Sequence, residues 1–151
     1  MRGKKLLRIL AWVVALQAIM FIVGQVISRR MTMGDESSDV FQVAAIFGGK
    51  KFHSEAHGFR SGTAIATMGG VDLDLRDATL DPAGAELEVK ATMGGVQVVV
   101  PEAWAVDVES EGPGGFEVTV TPPEDLPDDA PKLHIHAMTV MGGGAVTTKA
   151  A

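Results

Sequence analysis

Apolar and polar residues alternate along 86–100, and the alternation changes step once. Leu87, Val89, Ala91 and Met93 stand against Glu86, Glu88, Lys90 and Thr92. Beyond Gly94-Gly95 the apolar set resumes at Val96, Val98 and Val100, three residues after Met93 instead of two. Period two with one apolar face predicts a half-buried strand on each side of the glycines. The same flip occurs at Gly69-Gly70, with Ala64, Ala66 and Met68 before it and Val71, Leu73 and Leu75 after it. Leu133, Ile135, Ala137 and Met141 precede Gly142-Gly143 and Val146; Phe47 precedes Gly48-Gly49. A weaker copy, Gly114-Gly115, is followed by Phe116, Val118 and Val120. Copies recurring every ~20 to 28 residues read as one supersecondary unit per repeat.

A flip at Gly-Gly reads as a corner. Glycine supplies backbone angles that a Cβ forbids, and the side chains of both flanking strands then point to one interior. Stacked corners predict an all-β domain over 41–151, a short and mostly parallel β-solenoid, with Met68, Met93 and Met141 filling its core. Asp81-Pro82-Ala83-Gly84 and the segment from Pro122 to Pro127 read as outer loops between coils. The competing arrangement is an antiparallel sandwich with Gly-Gly at its hairpins. Hairpin strands seldom change face across a two-residue turn, and the repeat is too long for single hairpins.

Ahead of this domain the pattern is apolar throughout. From Ile9 to Ile27 only Gln17, Gly24 and Gln25 interrupt it. At 1.5 Å per residue the run covers roughly 28 Å, close to the ~30 Å hydrocarbon core of a bilayer. It is longer than the apolar stretch of a signal peptide and meets Arg29-Arg30 instead of a small-residue cleavage site. The organisation expected is a basic flank at 1–8, one transmembrane helix at 9–28, a polar linker at 29–40 and the solenoid. Arg2, Lys4, Lys5 and Arg8 precede the run and two arginines follow it, so the positive-inside rule places the amino terminus inside and the domain outside the cytoplasm.

The net charge of −6 sharpens this division. Six of the 13 Lys and Arg residues lie in the first thirty positions, where there is no acid, so the remainder carries 7 − 19, or −12. Such a surface repels nucleic acid and anionic lipid. The 18 glycines of 151 residues are about 12%, against ~7% in ordinary chains, and most mark the repeats. The absence of cysteine excludes disulfides and thiolate metal sites.

Few residues suggest chemistry. Asp72 and Asp74 share a strand face about 6.6 Å apart, with Asp77 beyond them. Aligned carboxylates can bind calcium or act on polysaccharide, but the next repeat offers Gln97 and Val99 at the matching positions, and the row reads as a solvated face. His134 and His136 share an outward strand face. Two imidazoles at that spacing can hold a metal, yet no third ligand is visible in the sequence, and the expectation is no metal and no cofactor. Lys50, Lys51 and Arg60, with His53 and His57 between them, form a basic cluster in an expected loop over 51–61. No nucleophile elbow or comparable context supports Ser-His-Asp catalysis. Lys50, Lys51, Arg60, His134 and His136 are therefore read as partner-contact candidates.

The run Met68-Gly69-Gly70-Val71-Asp72-Leu73-Asp74-Leu75-Arg76-Asp77-Ala78, followed by a second Gly-Gly-Val strand ending at Val100-Pro101 and a last strand after Gly142-Gly143, resembles the LiaF-like carboxy-terminal domain, also called the toastrack domain. The resemblance covers roughly 43–149; Lys50-Lys51 stand where the other copies have valine. It implies a short β-solenoid in a bacterial cell-envelope stress protein and, by analogy with members that restrain a two-component sensor kinase, an envelope protein as partner. The expectation is a single-pass, membrane-anchored, non-enzymatic accessory or regulatory protein acting by contact. A self-associating scaffold, with the carboxy-terminal coil as its open edge, and an enzyme on envelope polysaccharide are the alternatives.

Overall fold

The computed structural model describes residues 2–31 and 34–150. Thr32 and Met33 of the expected linker lie outside the described residues, as do the side chains of Arg2, Arg29 and Arg30 that enter the charge argument. Helix α1 runs from Arg2 to Met31, longer at both ends than the apolar run, and Gly3–Ile27 is long and apolar enough to cross a membrane. Eight strands follow: β1 (Val40–His53), β2 (Ser61–Asp74), β3 (Ala85–Ala91), β4 (Gly95–Pro101), β5 (Ala105–Glu111), β6 (Gly115–Thr119), β7 (Lys132–Thr139) and β8 (Gly143–Lys149). Every pairing between them is parallel. The fold is therefore the β-solenoid that the parity flips predict, not a sandwich of hairpins.

Each coil contributes a strand to two faces that meet at the Gly-Gly corner. β1 and β2 are long enough to turn the corner unbroken; β3/β4, β5/β6 and β7/β8 are split there. The first halves of β1 and β2 line up with β3, β7 and β5, and their second halves lead to β4, β8 and β6. The parity flip is visible in burial. Ala64 and Ala66 face inward before the corner, and Val71, Leu73 and Leu75 after it. Leu87, Val89 and Ala91 are answered in the same way by Val96, Val98 and Val100, and Leu133, Ile135 and Ala137 by Val146. These side chains form one core. At ~25 cal/mol per Å² of apolar surface removed from water, such packing is the main force holding stacked coils together.

Two expectations fail at the corner. Met68, Met93 and Met141 do not fill the core; they are 49%, 53% and 77% exposed. The chain has already begun to turn at the methionine, so its side chain points off the ridge and the flip is completed by the glycines. The glycines are not there chiefly for left-handed backbone either. Of the corner column Gly48, Gly69, Gly94, Gly142 and Gly114, only Gly48 has positive φ, at 87°. What requires glycine is proximity. A Cβ on Gly69 would collide with the Gly48 carbonyl oxygen, one on Gly94 with that of Gly69, one on Gly142 with that of Gly94, and one on Gly114 with that of Gly142. Backbone stacks directly on backbone, with no space for a side chain between.

That column also gives the spatial order of the coils, which is not the order of the chain. β7/β8 lies between β3/β4 and β5/β6. The open end is thus the weak repeat, 105–119, and not the carboxy-terminal coil that the sequence suggests. Sequential elements usually neighbour one another in space, and nothing local in the sequence marks the exception. The opposite end meets the last turns of the helix at its corner. α1 packs on β1, with buried Gly24 against the Phe47 ring and with Phe21 and Gln25 beside Gly48. Gln25, a polar break in the apolar run, lies at this contact.

Candidate functional site

Three adjacent strands, β3, β7 and β5, bury one set of alternate side chains and present the other to solvent. The outward set forms a grid fixed by strand register. One row is Glu86, His134 and Asp107; the next is Glu88, His136 and Glu109; the third is Lys90, Met138 and Glu111. Neighbouring strands lie ~4.8 Å apart, so each row is within side-chain reach. The result is a pair of imidazoles flanked on both sides by carboxylates.

The contacts are specific. His134 Nδ1 lies 3.1 Å from Asp107 Oδ2, and its Nε2 lies 3.6 Å from Glu109 Oε2. His136 Nδ1 lies 3.3 Å from the same Glu109 oxygen. The two rings meet edge to face with centroids 4.4 Å apart. One ligand atom from each of Glu109, His134 and His136 lies within 4.8 Å of the others. Lys90 Nζ bonds Glu88 Oε1 at 2.7 Å, which leaves Glu109 facing the imidazoles. A shallow groove of about 330 Å³ runs alongside, bounded by Glu86, Glu88, Glu111 and Met138.

A third histidine sits on the other face of the solenoid. His53, the last residue of β1, places Nε2 2.8 Å from Asp77 Oδ2 and Nδ1 3.6 Å from Asp74 Oδ2. Asp74 is also held by Arg76, whose Nε and Nη2 donate to its two oxygens at 3.0 and 2.8 Å. The hydrogen bond from Arg76 lowers the Asp74 carboxyl to about 2 against the opposing effect of burial, and the same pair raises the Arg76 guanidinium in turn. Asp72 is exposed, and across the ladder Asp72 and Asp74 meet Gln97 and Val99, so the carboxylate row stops at one coil.

Of the five candidate residues, His134 and His136 come together, as their spacing requires. The basic three do not form a single loop. Lys50 and Lys51 are in β1, where Lys51 pairs in register with Asp72. Arg60 ends the connection to β2 and lines a groove with Glu86, Asp107 and His134, whereas Lys51 lines another with Asp72, Gln97 and Lys149. His57 is exposed in the connection. Glu109 and Asp107 were missed. They belong to the weak repeat, and only its displaced stacking position brings it against β7. Their alternation with Val106 and Val108 was the available signal for an outward acidic row.

Comparison with known proteins returns no match: no family model, no curated protein and no solved structure is similar to this chain.

Proposed function

We propose that this chain is a membrane-anchored, non-enzymatic accessory protein of the bacterial cell envelope that acts by contacting another envelope protein at the bilayer surface. The observation that carries this reading is the inequality of the two solenoid ends. At one end the last turns of the chain's own apolar helix rest on the β1 corner, Gly24 against Phe47 and Phe21 and Gln25 beside Gly48. At the other, β5 and β6 each pair on one side only, and Val106, Val108, Phe116 and Val118 are partly exposed there. An unpaired parallel edge with apolar side chains is a template for a further strand or face. The anchor confines domain and partner to one surface, so a weak contact suffices.

The resemblance to the LiaF-like domain makes a sensor kinase of an envelope-stress system the partner class, and the charge asymmetry about the span supports an amino terminus inside the cell. An enzyme acting on polysaccharide is less well supported, because Asp74 is held ionised by Arg76 and is a poor proton donor near neutral pH.

A photo-crosslinking residue at Val118 should trap a membrane protein partner in intact cells, and the same residue at Gln97, exposed on an inner coil whose strand is paired on both sides, should not. Capture of the chain itself alone would establish the scaffold reading instead. Single cysteines at Ser38 and Thr148, in a chain that has none of its own, should react with a membrane-impermeant thiol reagent before lysis. Reaction only after lysis reverses the orientation.

A further inference from the structure

We propose that Glu109, His134 and His136 form a binding site for a divalent transition-metal ion of the zinc class, bridging the open coil to its neighbour. The donor spacing matches a tetrahedral ion. Four ligands at ~2.1 Å around a tetrahedral ion are about 3.4 Å from one another. Glu109 Oε2 stands 3.6 Å from His134 Nε2 and 3.3 Å from His136 Nδ1, close to that edge length without rearrangement. All three donor atoms fall within 4.8 Å, and small rotations of two solvent-facing imidazoles close the remaining side.

The donors also select the ion. Two borderline imidazoles joined by one hard carboxylate suit zinc, cobalt, nickel or copper; calcium and magnesium prefer all-oxygen sets. Asp107 completes the pattern. With the proton of His134 on Nδ1, that nitrogen donates to Asp107 Oδ2 at 3.1 Å, leaving the Nε2 lone pair directed toward Glu109. A carboxylate that fixes the tautomer of a ligating histidine is the usual outer support of such sites. Glu86, Glu88 and Glu111 surround the three donors; Lys90 is paired with Glu88, and Arg60 and Lys132 line the neighbouring groove beside His134, so carboxylates outnumber cations around the donors and the local field favours a divalent cation. Three protein ligands on an exposed face leave the remaining coordination positions open to water or to a partner's side chain.

The contrast with His53 is instructive. That residue also lies among carboxylates, but it offers one imidazole, and Asp74 there is already committed to Arg76. It serves as the control.

The test uses the full chain in detergent, without a histidine tag, titrated with cobalt(II) and then zinc(II). One equivalent of cobalt should give visible d–d absorption of a four- or five-coordinate ion, displaced by zinc, with one-to-one binding by calorimetry. Glu109→Gln and His136→Gln should each abolish the absorption. Asp107→Asn should weaken binding by about 10- to 100-fold while retaining the spectrum, and His53→Gln should change neither. All four side chains are solvent-facing, and far-ultraviolet circular dichroism of the metal-free variants should match the parent, so loss of binding reports ligation. Absence of a cobalt spectrum at one equivalent, binding that survives His134→Gln/His136→Gln, or binding lost on His53→Gln would each overturn the site. None of these outcomes bears on whether Val118 contacts a partner.

Discussion

The two ends of this solenoid are built from the same repeat and differ in almost every other respect. At the helix end, β1 runs fourteen residues, turns the corner unbroken and buries Phe41, Val43, Ala44 and Ala45. Phe41 stacks on Phe59 at 5.2 Å and meets Phe52 at 4.7 Å, closing the interior. At the free end, β5 and β6 are seven and five residues, and neither contains a fully buried side chain. In a stack where each coil touches only its neighbours, the terminal coil has one interface instead of two. The comparison teaches that the repeat motif fixes geometry while position in the stack fixes stability. It also places the partner-facing and metal-binding candidates on the less stable end, where local opening is easiest.

The corner glycines give the largest expected contrast. Gly94→Val drives side-chain atoms into the Gly69 carbonyl, a backbone group that cannot swing away. It should cost about 4 kcal/mol or more and leave little folded protein. Gly115→Ala in the open coil meets nothing within 4 Å and should change stability by about 0.5 kcal/mol or less. Chemical denaturation of the two variants measures the difference; similar losses would mean that the corner column is not in backbone contact.

Core truncation should be graded along the stack. Ile135→Ala, fully buried, should cost about 2 to 5 kcal/mol. Val118→Ala, 46% exposed on the terminal coil, should cost below about 1 kcal/mol. Amide exchange sharpens the same comparison, with β5 and β6 expected to exchange before β2 and β3. Uniform exchange across the domain would remove the gradient.

Met93→Ala should shift stability by only about 0.5 kcal/mol, because the side chain leaves the ridge exposed. A loss of several kcal/mol would restore the methionine to the core, where alternation alone had put it.

The smallest effect is electrostatic. The folded Asp74 carboxyl is lowered from 3.8 to about 2 by Arg76. A depressed folded value means that its stabilisation is complete above the unfolded value and is lost as pH falls from about 4 through 2. Because the pair remains in contact with water, the contribution should be about 1 kcal/mol or less. Asp74→Asn should flatten that acid limb in a pH series of thermal melts by lowering the neutral value by about 1 kcal/mol or less, the two proteins converging toward pH 2.

Much of this was legible in residue order. The step from Ala66 to Val71, and from Ala91 to Val96, disclosed both the corner and the inward set on each side of it. The apolar run before Arg29 disclosed the candidate span. The methionines were misplaced because alternation says which face a residue would occupy if the strand continued, and at Met93 it does not. The histidine pair was legible but its carboxylate partners were not: Glu109 reaches His136 only through the stacking of β5 on β7, a long-range choice that period-two patterning does not encode. The basic cluster dissolved for a similar reason, since Lys51 and Arg60 are near in sequence but are carried onto different faces as the chain rounds a coil.

The displaced coil has a consequence for how the molecule is made. A chain emerging amino terminus first can stack β1, β2 and β3/β4 as each appears, but β5/β6 is synthesised before the coil on which it finally rests. Its inward residues, Val106, Val108 and Phe116, must either wait in solvent or dock early on the exposed edge of β3/β4, a site of the same glycine-to-glycine geometry. Completion then requires β7/β8 to occupy that edge and β5/β6 to come to lie beyond it. β7/β8, made after β5/β6, thus forms an inner layer of the stack, and the domain cannot close before it has emerged.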